Sequence, residues 1–252
     1  KLDPATAAKL QLMVQQGTPE LRKVAAWPTS VLYEEETEAA RGILMPRIDA
    51  ARQLHELYGT TNRKRHFPGV LWHHMLLAAR NTAAAFHAMH EAGVIVGDVN
   101  QGNLLVDDRM RVRFIDCDSF QIAGPDTVYT CPVGTPHFTP GELQSQNLRE
   151  VERNVDHDAF GLAILIFHLV FVGRHPFAGR FRGEGDLPIE RAIGERRFAF
   201  SRDRWVTQVD PPPASLSLDD LPGPLANLFV MAFRADLAAG DRRPEPAQWA
   251  EA

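Results

Sequence analysis

Cysteine is nearly absent: the 252 residues include only Cys117 and Cys131. Two thiols give no disulfide framework and suit a reducing compartment. An excess of either charge is also missing, since 27 Lys and Arg stand against 32 Asp and Glu, a net charge of -5, with the two signs interspersed. No basic stripe marks a nucleic-acid partner and no polybasic patch marks a membrane surface, so neither partner is expected. The longest apolar run, residues 159–172, is about fourteen residues and contains His168. That suits a buried core helix and falls short of a bilayer span. No secretory leader is read, and a cytoplasmic location is expected. The sequence opens on Lys1 and not on Met, so a further segment upstream is expected. The ten histidines are scattered and none shows zinc-ligand spacing.

The chain is long enough to bury a sizeable core. It carries two polar clusters at the ends of apolar runs. Gly97-Asp98-Val99-Asn100-Gln101-Gly102-Asn103 precedes Leu104-Leu105-Val106, and Phe114-Ile115 precedes Asp116-Cys117-Asp118. Between them lie a polar turn, residues 107–110, and the alternating Arg111-Val112-Arg113-Phe114. The pattern reads as loop, strand, turn, strand. Such a hairpin brings Asp98, Asn103 and Asp116 to one edge, where acid, amide and acid can bind a divalent cation through oxygen and orient a hydroxyl. Taken alone, the same residues also fit ordinary surface hairpins.

Periodicity supplies the frame. A helix is expected over residues 5–16, with Leu10, Met13 and Val14 at helical spacing and Gly17 as its stop. Two strands flank the acidic turn at 34–38, and the second runs into residues 45–48. A short helix over 50–58 and a basic loop at 62–66 follow. A long helix over 71–92 turns Leu71, Met75, Ala78, Ala79, Thr82, Phe86 and Met89 inward and stops at Gly93. Residues 119–139 are loop chemistry. Asp156 is placed to cap the apolar helix. Residues 187–200 read as a helix followed by Arg197-Phe198-Ala199-Phe200, and a helix over 222–238 completes the reading, with Leu225, Leu228, Phe229 and Phe233 at core spacing.

Asp98-x-x-x-x-Asn103, followed eighteen positions after Asp98 by Asp116, resembles the catalytic loop and metal-binding Asp of protein kinases. Gly134-Thr135-Pro136 running to Glu142, Gly173-Arg174-His175-Pro176-Phe177 and Arg242-Arg243-Pro244 continue the likeness in the same order. It covers residues 31–252, most closely 85–177. The resemblance implies an α+β, bilobal fold: a truncated, β-rich N-lobe over 1–48 (a helix, two strands and a hinge) and a mainly helical C-lobe over 49–252. It implies an ATP-dependent protein serine/threonine kinase. Asp98 would orient the substrate hydroxyl, while Asn103 and Asp116 would hold Mg²⁺ on the ATP phosphates. Asp118 is either a further metal ligand or a cap of the loop backbone. Residues 45–48 would be the adenine hinge, starting at Met45; Pro46 has no N–H, so Arg47 or Ile48 would donate. Lys1 falls near the position of the small-lobe strand Lys. Glu142 would pair with Arg243, and Asp156 would lie beneath the catalytic loop.

The departures matter as much. No G-x-G-x-x-G is present, the first helix has no Glu partner for a strand Lys, and Asn100 stands where most such kinases have a phosphate-contacting Lys. Val96-Gly97 replaces His-Arg, which removes the Arg that reads activation-segment phosphorylation, and Cys117-Asp118 replaces Phe-Gly. Two alternatives therefore stay open: a pseudokinase or nucleotide-sensing scaffold that docks partner proteins, and a small-molecule phosphotransferase of the aminoglycoside or choline type. In finer detail, Gly-Asp-Val-Asn, Ile-Asp-x-Asp-Ser-Phe, Tyr-x-Cys and His-Pro-Phe-Ala-Gly are similar to a divergent bacterial group encoded with tellurium-resistance and phosphatase partners. That likeness implies a protein substrate or partner of one of those two types.

Overall fold

The computed structural model describes residues 2–234, 236 and 241–252. Asp3 accepts the Thr6 N–H at 3.0 Å and so caps helix α1 (Pro4–Gln16), which gives out at Gly17 as its spacing predicts. Thr18 caps a second short helix, α2 (Pro19–Val24), too brief for periodicity to announce. Strands β1 (Ser30–Tyr33) and β2 (Ala40–Leu44) form the expected antiparallel hairpin around the acidic turn. This N-terminal region is tied into the remainder. Ala26 N–H donates to the Phe114 carbonyl at 2.9 Å, and the fully buried Trp27 donates its Nε1–H to the Met13 carbonyl at 2.7 Å.

Residues 49–66 depart from expectation. Ala50 has φ +53°, which a right-handed helix does not admit. Ala51–Gln53 is instead strand β3, and helix α3 is confined to Leu54–Tyr58. The basic stretch 62–66 is not a loop but part of helix α4 (Thr60–His66). None of its residues is buried, so there is no apolar stripe for the period to reveal. Its cations gather in the last turn, where the helix dipole favours them.

Helix α5 (Trp72–Glu91) buries Met75, Ala78, Ala79, Thr82, Phe86 and Met89 as anticipated. Leu71 does not join that stripe: it sits at the N-cap and is 61% exposed. Gly93, at φ +71°, turns the chain out of the helix. Strands β4 (Leu104–Asp107) and β5 (Val112–Phe114) form the expected hairpin, its turn held by Asp107 Oδ1 accepting from Arg109 N–H at 3.0 Å and Arg111 N–H at 2.9 Å. Strand β3 adds to the far side of β4, giving the order β3-β4-β5. Within the loop chemistry of 119–139, β6 (Ile122–Ala123) and β7 (Val128–Tyr129) make a short ribbon.

Helix α6 (Val155–Val170) is buried without interruption from Asp158 onward. Its N-cap is Asn154, not Asp156: the Asn154 Oδ1 accepts from Asp156 N–H at 3.0 Å and His157 N–H at 3.1 Å. Beyond it come β8 (Arg180–Phe181), α7 (Ile189–Gly194), α8 (Arg204–Thr207), β9 (Val209–Asp210), α9 (Gly223–Phe233) and α10 (Pro246–Glu251). Helix α9 ends at Phe233, and residues 235, 237 and 238 of the helix expected to reach 238 lie outside the described residues. The Phe167 ring of α6 meets Phe171, Phe198, Phe200, Phe229 and Phe233, with centroids 3.9 to 6.2 Å away. Trp249 of α10 closes this cluster against Phe229 at 5.0 Å. Each ring so buried contributes about 2–3 kcal/mol. Small antiparallel sheets and a mainly helical remainder place the chain in the α+β class. No helix among the described residues is long and apolar enough to cross a membrane.

Candidate active site

The chain leaves α5 at Gly93 and enters the polar loop through buried Val94 and Val96. Two consecutive backbone N–H groups there, of Val96 and Gly97, donate to the carboxylate of Asp158 at 2.7 and 2.8 Å. Asp158 is 1% exposed, and His90 Nε2 lies 3.0 Å from Oδ2, the oxygen that accepts from Val96. The expectation put Asp156 in this role. Capping by Asn154 sets the register of α6 so that Asp158 faces the loop, while Asp156 accepts from the backbone N–H of Arg243 at 2.7 Å and from its guanidinium. One turn further in, Gly161 makes room for the loop: a Cβ there would sit 2.6 Å from Val99 Cβ.

The structure brings Asp98, Asn100 and Asn103 into one network. Asn103 donates its Nδ2–H to the Asp98 carbonyl at 3.1 Å and to Asp98 Oδ2 at 3.4 Å. Asn100 donates to Asp98 Oδ2 at 3.2 Å, and its own Oδ1 accepts from Gly102 N–H at 2.8 Å and Asn103 N–H at 3.1 Å. Asn100 is therefore engaged in shaping the loop. The other Asp98 oxygen, Oδ1, accepts from the hydroxyl of Thr135 at 2.9 Å. Sequence reasoning placed Thr135 only as a segment landmark; its hydroxyl, aimed at an acid thirty-seven positions away, has no local signature.

Asp116 is delivered by the strand pair. Ile115 N–H donates to the Asn103 carbonyl at 2.9 Å, so the residue after it emerges beside Asn103. Asp116 adopts φ +55°, a left-handed conformation that Asp tolerates better than most residues. Its side chain is exposed and makes no hydrogen bond or ion pair among the described residues. Cys117 behind it is buried, and burial, together with the charges of Asp118 and Asp116, pushes its thiol far up. Asp118 is exposed on the same turn. Its charge also reaches Lys9 of α1, which is 8% exposed; burial lowers that ammonium, and Cys131 and Asp118 work against the shift. Lys9 was missed because a lone Lys beside Leu10 reads as a solvated helix position.

The donor set can be tested against a divalent cation. With Asn103 Nδ2 spent on Asp98, its Oδ1 faces no protein donor among the described residues, and the Asp116 carboxylate is likewise unengaged. No group of three or more His, Cys, Asp or Glu able to hold a metal occurs among the described residues. One carboxylate plus one amide oxygen fits Mg²⁺, a hard ion that keeps water and takes substrate phosphates as ligands, and does not fit an all-protein cage.

The residues expected to form a hinge share no hydrogen bond with this network among the described residues. Met45 and Arg47 are exposed, Ile48 is half-buried, and Arg47 pairs with Asp49 at 2.6 Å. The backbone N–H groups of Arg47 and Ile48 make no hydrogen bond among the described residues. The connection to the loop comes a few residues on, where Gln53 Nε2–H donates to the Gly102 carbonyl at 3.4 Å. Lys1 lies outside the described residues. Farther from the loop, Arg243, 5% exposed, binds Glu142 at 2.7 and 3.0 Å, the anticipated pair, and also Asp156. Burial alone would raise the Glu142 carboxyl, but the hydrogen bond and charge of Arg243 bring it below its ordinary value.

No family model matches the chain. It is 36% identical over 246 residues to the protein kinase YegI of Escherichia coli O157:H7, a match that takes in 97% of this chain and 38% of that protein. The same identity holds over 247 residues to the protein kinase YegI of the K12 strain, again 97% of this chain and 38% of the relative. A probable serine/threonine-protein kinase, irlD of Dictyostelium discoideum, is 26% identical over 109 residues, 42% of this chain and 7% of that protein. The chain thus spans about 38% of the length of the YegI relatives. These likenesses are to proteins named as kinases, and the architecture agrees: the fold is kinase-like, α+β with small antiparallel sheets, and fits a truncated bilobal kinase with a mainly helical C-lobe.

Proposed function

We propose that this kinase-like chain is a protein kinase domain that transfers the γ-phosphate of ATP to a serine or threonine hydroxyl of a protein, with residues 1–48 as the partial small lobe and 49–252 as the large one. The observation that carries this reading is the hydrogen bond from the Thr135 hydroxyl to Asp98 Oδ1 at 2.9 Å. Asp98 Oδ1 accepts an alcohol there and keeps a second lone pair that would take the hydroxyl of a phosphate acceptor. Asn103 and Asp116 would hold Mg²⁺, which when bound neutralises charge on the transferring phosphate. Asp98 orients the acceptor hydroxyl and takes its proton. Asn100 and Asn103 fix the Asp98 carboxylate from the other side, and the backbone of Arg47 or Ile48 supplies donors for adenine. Asp118 is assigned to the outer edge of the metal site. The free thiols Cys117 and Cys131 accord with a cytoplasmic setting, and a phosphatase or tellurium-resistance-type protein is the proposed substrate or partner.

One observation favours a second reading. Asn100 is committed to the loop and supplies no cation at the position where most such kinases have a Lys, which lowers transition-state stabilisation. The alternative is a nucleotide-sensing pseudokinase. The Glu142–Arg243 pair argues against a small-molecule phosphotransferase, which generally lacks that segment.

The test is phosphate transfer from Mg-ATP to a generic protein substrate and to the protein itself, in wild type and Asp98→Asn. Transfer that falls by a factor on the order of a hundred or more in the variant supports the kinase reading. If the wild type transfers nothing, yet Mg-ATP raises its melting temperature and Asp116→Ala abolishes that rise, the pseudokinase reading replaces it.

A further inference from the structure

Residues 131–135 pass alongside the catalytic loop, and the residue that joins the two is Arg153, in the turn before α6. It is 4% exposed. Its own backbone is locked on both sides by the Gln121 side chain: Arg153 N–H donates to Gln121 Oε1 at 2.8 Å, and Gln121 Nε2–H donates to the Arg153 carbonyl at 2.7 Å. From that fixed base the guanidinium reaches two carbonyls. Nη1 donates to Gly97, the residue before Asp98, and Nη2 donates to Val133, two residues before Thr135. Of its nitrogens, Nε finds no hydrogen-bond partner among the described residues.

The neighbours are shaped around this fork. A Cβ at Gly97 would stand 2.6 Å from Cys131 Cβ and 3.5 Å from Arg153 Nη1. A Cβ at Gly134 would stand 2.8 Å from Leu148 and 3.1 Å from Arg153 Nη2. Cys131 is fully buried and its Sγ–H donates to the same Val133 carbonyl at 3.4 Å. Thr135 is held a second time through its carbonyl, which accepts from Thr139 Oγ1 at 2.9 Å. Gly97 itself stands where the kinase pattern has the Arg that binds a phosphorylated activation segment. Here an Arg from elsewhere in the sequence makes the connection, to main-chain oxygens in place of a phosphate.

We propose that Arg153 is a positioning residue that clamps segment 131–135 onto the catalytic loop, so that Thr135 and Asp98 are held in register with no phosphate on the segment. The proposal rests on the phosphate-transfer reading above. A guanidinium stays charged at every working pH and offers donors in a planar fork, so it fixes the spacing of two carbonyls as a point-charge ammonium cannot.

The experiment uses the full chain as wild type, Arg153→Gln and Arg153→Lys, all below their melting temperatures. Two quantities are read: steady-state transfer from Mg-ATP to a generic protein substrate, and amide hydrogen exchange over residues 131–139. Arg153→Gln is expected to lower kcat on the order of ten- to a hundred-fold through misplacement of Asp98. KM for ATP should stay within about twofold, because nucleotide contacts are untouched. Arg153→Lys should recover part of the rate. Exchange over 131–139 should quicken in Arg153→Gln while α6 is unchanged, and phosphatase treatment of the wild type should leave its rate intact. An unchanged kcat in Arg153→Gln, unchanged exchange over 131–139, or loss of wild-type rate on phosphatase treatment overturns the proposal. If Arg153→Gln does not fold, Arg153→Lys carries both readings. If the wild type transfers no phosphate, the transfer reading fails by itself, and the clamp stands or falls on exchange alone.

Discussion

The two ends of α6 solve the same problem in opposite ways. Both place polar side chains against the core. At the N-terminal end the groups are ions: Asp158 takes two backbone N–H groups and His90, and Asp156 shares Arg243 with Glu142. At the C-terminal end they are neutral rings. His168 stacks on Tyr58 with centroids 4.9 Å apart and meets His175 at 5.4 Å, and His175 Nε2 lies 3.1 Å from the His137 carbonyl. A buried ion is tolerable only when its partners are assembled from distant parts of the chain, whereas a buried imidazole can give up its proton. The ionic end therefore holds the loop that begins at Val96 in one register, and the neutral end mainly fills space.

Breaking the ionic end should cost most. Asp158→Ala leaves the Val96 and Gly97 N–H groups and His90 without their acceptor, and a loss of about 3–5 kcal/mol is expected, read as a fall in the denaturant midpoint. Arg243→Ala should cost about 3 kcal/mol, somewhat less, because the stranded Glu142 and Asp156 side chains are 36% and 24% exposed and can recruit water.

The neutral end is separated from it by pH. Burial holds His168 at about 3 and His175 at about 4. An unfolded histidine titrates near about 6.5, so between these values the unfolded chain binds more protons. Stability is then complete above about pH 6.5 and falls as the pH drops, by up to about 1.4 kcal/mol per pH unit for each such histidine. Glu142, held below its ordinary 4.5, keeps its contribution until the pH falls through that lower range. Loss of stability between pH 6.5 and 4.5 thus reports the histidines, with His157 at the ionic end adding in the same direction. His168→Phe keeps the stacking on Tyr58 and should flatten that slope by as much as one histidine's share, measured by urea unfolding at several pH values. The smallest effect belongs to neither end. Asp49→Ala breaks the Arg47–Asp49 pair, whose side chains are 88% and 70% exposed, and should change stability by less than about 0.5 kcal/mol.

What could be read in advance followed the apolar period. The stripe of α5, the β4–β5 hairpin and the start and stop of α1 needed only local pattern. Strand β3 and helix α4 did not follow it: β3 exists because β4 pairs with it, and α4 buries nothing. In the candidate site, Asp98, Asn103 and Asp116 were legible through their spacing and the strands that carry them. Asp158, Thr135 and Arg153 were not: the first two act on groups 37 to 68 positions away, and Arg153 acts through backbone oxygens with no residue signature. The two-residue difference between Asp156 and Asp158 turned on which side chain caps α6, a choice between Asn154 and Asp156 that composition leaves level.

The contact between Gly97 and Cys131 also limits how this chain can change. Gly97 has φ +72°, and any side chain placed there runs into Cys131. An arginine at 97 is therefore out of reach by a single substitution: the clash is with Cys131 Cβ as well as Sγ, so relief would require glycine at 131 or a shift of the backbone. Positions 97 and 131 can therefore change only together.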